Sequence, residues 1–97
     1  MIEKCDDGLR VTGPMLIANA SALLEAGRGF LRASSSGAAL VLDLSAVEET
    51  DSAALSVVFG LLRTARECGL GLHLAHPPAS MISQADLYGV SDTLSLA

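Results

Sequence analysis

Six Lys and Arg stand against eleven Asp and Glu in a chain of 97 residues, a formal charge of −5 at pH 7 with the histidines neutral. The length fits a single domain over residues 1–97, and 51% hydrophobic against 18% charged residues supplies one core and excludes a disordered chain. An acidic excess with no basic run excludes simple phosphate-backbone binding, so no nucleic acid partner is expected.

No apolar run reaches the roughly 18 to 20 residues that cross a bilayer, and Ile2-Glu3-Lys4-Cys5-Asp6-Asp7 is too charged for a signal-peptide core. A cytoplasmic protein with no direct membrane insertion is expected. Cys5 and Cys68 make no CxxC or Cys/His spacing, so both read as reduced rather than as a disulfide or a zinc site. Mean hydropathy is positive although aromatic residues are few. The surplus of small aliphatic side chains fits helices packed closely on a sheet, or an apolar face for a partner or a second copy of the chain.

Ile2 to Gly13 reads as a hairpin around Asp6-Asp7-Gly8, with Gly8 supplying a positive φ to the loop. Pro14 ends the second strand, and Asn19 is the N-cap of a helix that runs to about Ala33. Its apolar stripe is Ala20, Leu23, Leu24, Gly27, Phe30 and Leu31, with Glu25, Arg28 and Arg32 toward water. A glycine within that stripe costs helix propensity and so marks close packing at Gly27.

After the short connection Ser34-Ser35-Ser36-Gly37, the unbroken run Ala39 to Leu44 reads as a central parallel strand buried on both faces. A polar loop follows, and Thr50 or Asp51 caps a second helix that lasts to Cys68. Leu55, Val58, Phe59, Leu62 and Ala65 form its stripe, and Gly69 is its C′ residue. Leu70 to His76 is a strand with Leu70, Leu72 and Leu74 on one face, stopped by Pro77-Pro78. Pro78 opens a third helix through Met81, Ile82, Ala85 and Tyr88, which Gly89 ends, and Val90 to Ala97 has no clear assignment. The order ββαβαβα predicts an α/β sandwich with a mixed, largely parallel sheet of four to five strands.

Catalytic chemistry finds little support. His73 and His76 share one predicted strand region with no nucleophile placed beside them, and read as packing or surface residues; a small histidine-dependent enzyme is the weakest alternative. Asp43, Glu48, Glu49 and Asp51 cluster after the central strand, where a solvated loop with helix-terminal charge is the plainer reading than Mg²⁺ binding. No phosphate-binding loop is present. No cofactor or metal is implied. The remaining feature is Ser52 in the first turn of the second helix. A phosphate there would gain roughly 0.3–1 kcal/mol from the helix N-terminus, and would bring about −1.5 to −2 charge beside Asp51. The plain alternative is that Asp51 and Ser52 simply cap the helix.

Asp43-Leu44-Ser45-Ala46-Val47 followed by Asp51-Ser52-Ala53-Ala54-Leu55 resembles the signature of STAS domains, the anti-sigma factor antagonist family, whose pattern is roughly D-L-S-G-V-x-x-x-D-S-[SA]-G-L. The resemblance covers nearly the whole chain, including Gly69 and the closing Leu87-Tyr88-Gly89-Val90. It implies the STAS sandwich, a non-enzymatic protein–protein binding role, and Ser52 as phosphoacceptor. Ala46 and Ala54 stand where Gly is common, and Ala53 where antagonists usually carry Ser.

Leu9 to Leu16, the Ala-Leu-Leu-Glu segment at 22–25 and the Leu-Tyr-Gly-Val ending resemble MlaB-type STAS subunits of the Mla phospholipid ABC transporter. That branch implies the transporter's ATPase subunit as partner, in maintenance of outer-membrane lipid asymmetry. The alternative is a phosphorylation-switched antagonist that binds an anti-sigma factor kinase. Either way the expected partner surface comprises Glu49, Thr50, Asp51, Ser52, Ala53, Ala54 and Ser56, with Gly60 and the turn near Met15 beside it. The small side chains there leave a low surface for a partner helix.

Overall fold

The computed structural model describes residues 1–87. The expected placement of Tyr88, Gly89 and the 90–97 tail lies outside them. The elements are β1 (Ile2–Cys5), β2 (Gly8–Val11), α1 (Ala20–Arg32), β3 (Ala39–Asp43), α2 (Ser52–Glu67), β4 (Gly71–Ala75) and α3 (Ala79–Leu87), in the predicted order. The four strands form one sheet in sequence order, with β1 antiparallel to β2 and β2, β3 and β4 mutually parallel.

Register decides which face is buried. Leu9 pairs with Leu42 and Leu42 with Leu74, so their side chains share one face, and they join Val11, Leu44 and Leu72 in the core. Leu23 and Leu31 of α1, Leu55, Val58 and Leu61 of α2, and Met81 and Ala85 of α3 complete it. The opposite face carries Glu3, Arg10, Asp43 and His73. The apolar run in β3 therefore does not mean burial on both faces: Leu42 is buried, Val41 and Asp43 are half-buried and Ala39 is exposed. Parallel pairing on both sides makes β3 central, and the described helices cover one side.

Two local expectations are refined and one holds. Gly8 belongs to β2 rather than to the hairpin loop. A Cβ there would collide with the Val41 backbone carbonyl, so the close approach of β3 is what demands glycine. Gly69 sits at φ +72 as the C′ residue of α2. The Leu70 N–H donates to the Ala65 carbonyl at 2.8 Å and the Gly69 N–H to that of Arg66 at 3.1 Å, which together form a Schellman ending. The third helix begins at Ala79, with the Pro78 carbonyl accepting from the Met81 and Ile82 N–H groups, so Pro78 lies just before the helix.

Helix α2 is buried more widely than one stripe allows. Ala54, Leu55, Val57, Val58, Gly60, Leu61, Thr64 and Ala65 are all buried, whereas Phe59 and Leu62 lie at the margin. The cause is packing on several sides, against β4, α1 and α3. The α1–α2 contact interlocks through glycines. A Cβ on Gly27 would stand 2.5 Å from Leu61 Cδ2, and one on Gly60 would stand 2.7 Å from Leu24 Cδ1. Arg28, expected in water, is half-buried and donates from Nε to the buried Thr64 Oγ1 at 3.2 Å.

Two glycine substitutions test these contacts by urea denaturation. Gly8→Ala is expected to destabilise by about 3 kcal/mol, the upper end for overpacking, because the obstructing atoms are backbone. Gly29→Ala in α1, where nothing lies within 4 Å of the added methyl, should stabilise by about 0.5–1 kcal/mol. Equal effects of the two changes would contradict the packing described.

Candidate functional site

Parallel strands end together at one edge of the sheet, and the loops leaving that edge meet there. After β2 the chain runs through Pro14 to Asn19; after β3 it runs from Leu44 to Asp51; after β4 it turns through His76 into α3. Met15 and Thr50 form an isolated parallel bridge between the first two loops. The Met15 N–H donates to the Glu49 carbonyl at 2.9 Å, and the Asp51 N–H to the Met15 carbonyl at 3.3 Å. Thr50 Oγ1 and Ser80 Oγ share a hydrogen bond of 2.7 Å that ties the second loop to the start of α3.

Asp51 occupies the N-cap of α2 in extended backbone, and its Oδ1 accepts the Ala53 N–H at 2.8 Å. Its other oxygen, Oδ2, accepts the Ile17 N–H at 2.9 Å. One carboxylate thus joins the helix start to the first loop. Asn19, predicted as a capping side chain for α1, holds the N-cap position without a side-chain cap bond. Instead its Oδ1 accepts from the Leu16 N–H at 2.9 Å and its Nδ2 donates to the Pro14 carbonyl at 2.7 Å.

Because Asp51 performs the capping, Ser52 is left as the first helical residue, exposed and one step past the cap. Ser56, one turn on, is also exposed, as is Glu49; Thr50, Asp51 and Ala53 are half-buried. Ala54 does not belong to this surface. It is 0% exposed, since 54, 58, 61 and 65 turn toward the core when 52 and 56 turn outward. Gly60 is likewise buried under Leu24, and Met15 is in the core. The exposed member of the Met15 turn is Ile17, with 80% of its surface in water. Sequence reasoning missed it; the signal was an apolar run, Met15-Leu16-Ile17, that serves neither a strand nor a helix stripe.

The acidic cluster divides rather than converges. Asp43 points to the open sheet face, where its Oδ1 accepts the Ser45 N–H at 2.9 Å and its Oδ2 the Arg10 Nε–H at 3.2 Å. The Ser45 backbone and hydroxyl groups, with the Arg10 guanidinium, hold the Asp43 carboxyl below the usual carboxylate range against the opposing effect of desolvation. Both Asp43 and Asp51 are thus committed to protein donors, and no group of three metal-ligating side chains occurs among the described residues. His73 lies on the open face of β4. His76 follows it, exposed and in the left-handed region at φ 54. A concavity of about 350 Å³, lined by Lys4, Phe30, Leu31 and Leu40 among others, opens at the opposite, amino edge of the strands. Among the described residues no helix is long and apolar enough to cross a membrane.

A mixed four-stranded sheet with the described helices on one side, presenting an exposed helix start at its carboxyl edge, defines an α/β domain with an open surface there. The chain belongs to the STAS domain family: the model described as Mlab, STAS domain, matches residues 2–96. An anti-sigma factor antagonist from Mycobacterium paratuberculosis is similar at 28% identity and TM-score 0.69, with 99% of this chain and 81% of that one covered. The anti-sigma factor antagonist SpoIIAA in its unphosphorylated form is similar at 13% identity and TM-score 0.66, covering 90% and 81%. A sulfate transporter family protein from Wolinella succinogenes is similar at 16% identity and TM-score 0.65, covering 88% and 67%. The last two share the fold. No protein of curated function matches the sequence.

The Asp43 interactions carry a pH signature. Its folded value lies below the unfolded one of about 3.9, so its contribution is complete well above that value and is lost as pH falls through the lower, folded one. The urea-midpoint gap between wild type and Asp43→Asn is expected to be widest near neutral pH and to narrow below about pH 4. A gap independent of pH would show that the charge of Asp43 adds nothing.

Proposed function

We propose that this protein is a non-enzymatic binding protein that acts through the surface around Ser52, and that its partner is the ATPase subunit of an Mla-type phospholipid ABC transporter in the cytoplasm. One observation carries the binding reading: Asp51 caps α2, so the Ser52 hydroxyl faces outward beside exposed Ser56 and half-buried Ala53 instead of being consumed as a cap. The transporter branch draws support from the Mlab description of the matching family model.

A second reading, an antagonist that binds an anti-sigma factor kinase and is switched by phosphorylation at Ser52, draws support from the 28% identical antagonist. Both readings use one surface and one physical logic. With Ser52 neutral, the small side chains of Ala53 and Ser56 let a partner helix approach closely. A charge placed at Ser52 would have to be desolvated within that contact and would add to the acidic charge of Glu49 and Asp51.

Capture from a native lysate with wild-type and Ser52→Asp baits tests the reading. The substitution adds charge at a helix N-terminus but beside Asp51, so its melting temperature should stay close to that of wild type. Partner capture should fall at least tenfold. Recovery of an ABC ATPase with its permease supports the transporter role, and recovery of a small GHKL-type kinase supports the antagonist role. Undiminished capture by Ser52→Asp would remove Ser52 from the partner surface.

A further inference from the structure

Among the described residues, Ile17 is a member of the carboxyl-edge surface that packing does not account for. The residue is 80% exposed, yet the loop that bears it is tied down on both sides. Asn19 holds Leu16 and Pro14, the Met15 bridge holds the loop to residues 49–51, and the Asp51 carboxylate holds the Ile17 amide. A branched apolar side chain displayed on a rigid loop loses little further freedom when a partner covers it, which is the property of an interface anchor.

The tie to Ile17 is also the helix cap. Asp51 accepts from Ile17 with Oδ2 and from Ala53 with Oδ1, and Ser52 lies between these two contacts in the chain. We propose that Asp51 is a positioning residue that makes the presentation of Ile17 depend on the charge at position 52, and that the partner receives Ile17 in an apolar socket rimmed by Lys or Arg. The proposal rests on reading this face as the partner surface. An anionic group on residue 52 can accept from the N–H groups of the first turn, including that of Ala53 which Asp51 now holds, and it repels the neighbouring carboxylate. Once Asp51 moves, the Ile17 N–H loses its acceptor and the tip of the loop loosens, while Met15 stays in the core through its backbone bonds. The basic rim follows from charge: residues 14–19 and 45–51 carry Glu48, Glu49 and Asp51 and no Lys or Arg.

Amide hydrogen exchange by NMR tests the coupling on the protein alone. Protection of the Ile17 amide should fall at least tenfold in Asp51→Ala and in Ser52→Asp. It should stay within about twofold of wild type in Ser52→Ala, and in Asp51→Ala and Ser52→Asp the fall at Ile17 should exceed any fall at the core amides of Leu23 and Leu61, which follow the global stability that the lost cap lowers. Wild-type protection of Ile17 in Ser52→Asp would overturn the coupling. For the anchor, Ile17→Ser should retain the wild-type melting temperature and lose at least tenfold in affinity for the ATPase or kinase captured by the wild-type bait. Full retention of that affinity would overturn the anchor. Exchange at Ile17 decides the coupling whether or not a partner is captured, so a bait that captures none counts against the proposed function alone.

Discussion

The position of the candidate surface depends on how α2 is held. Gly27 admits Leu61 and Gly60 admits Leu24, so α1 and α2 approach until side chains of one rest on backbone of the other. A Cβ at either position would force the facing leucine tip out of its present place. With the sheet beneath it and α3 along its flank, α2 has no freedom to roll about its axis. Its outward direction is fixed at Ser52 and Ser56, and its start is fixed at the carboxyl edge of the strands. The low position of the first turn, and with it the exposure of one hydroxyl, is therefore set by contacts in the middle of the helix.

At that edge, carboxylates serve the backbone. Asp43 satisfies the amide that begins the loop after β3, and Asp51 satisfies one amide of the helix and another of a different loop. Helix starts and tight turns leave N–H groups unpaired, and a short acid in extended backbone is the economical acceptor for them. Acidic residues clustered in sequence are therefore spread in space. Asp43 goes to the open sheet face with Arg10, Asp51 joins two loops, and Glu48 and Glu49 remain in solvent. The same division accounts for the lack of a chelating group among the described residues.

Where one neighbour governs a segment, the sequence could be read closely. The Leu alternation in β4, the Gly69 ending and the Asp51 cap all follow from local rules of strand, C′ residue and N-cap, and all appear in the structure. Where two neighbours compete, the reading was incomplete. The stripe assigned to α2 assumed one covered face, and so placed Ala54 and Gly60 outside and left out Val57 and Leu61. An apolar run such as that of β3 records strand centrality and helix cover alike, and so does not by itself mean burial on both faces. Ile17 escaped because loop residues have no periodicity to betray them, and its role comes from an acid 34 positions away. The bond between Thr50 and Ser80 has no signal in the sequence, since nothing local to either residue points to the other.

The departures from the family pattern around Ser52 take on different weights once burial is known. Ala54 is fully buried, so its methyl fills core between α2 and the sheet and does not meet a partner. Its replacement of Gly bears on packing density and on helix propensity, which Ala improves by about 1 kcal/mol. Ala53 and Ala46 are the departures with surface to offer, half-buried and exposed respectively. Neither is charged and neither bonds to Ser52, so neither opposes a negative charge at that residue. A switch there needs an exposed hydroxyl, first-turn amides able to receive the charge, and something nearby whose geometry the charge alters. Ser52 supplies the first and the turn through Ala53 the second. The two bonds of Asp51 supply the third, so a switch at Ser52 would turn on the aspartate before the serine rather than on the alanines after it.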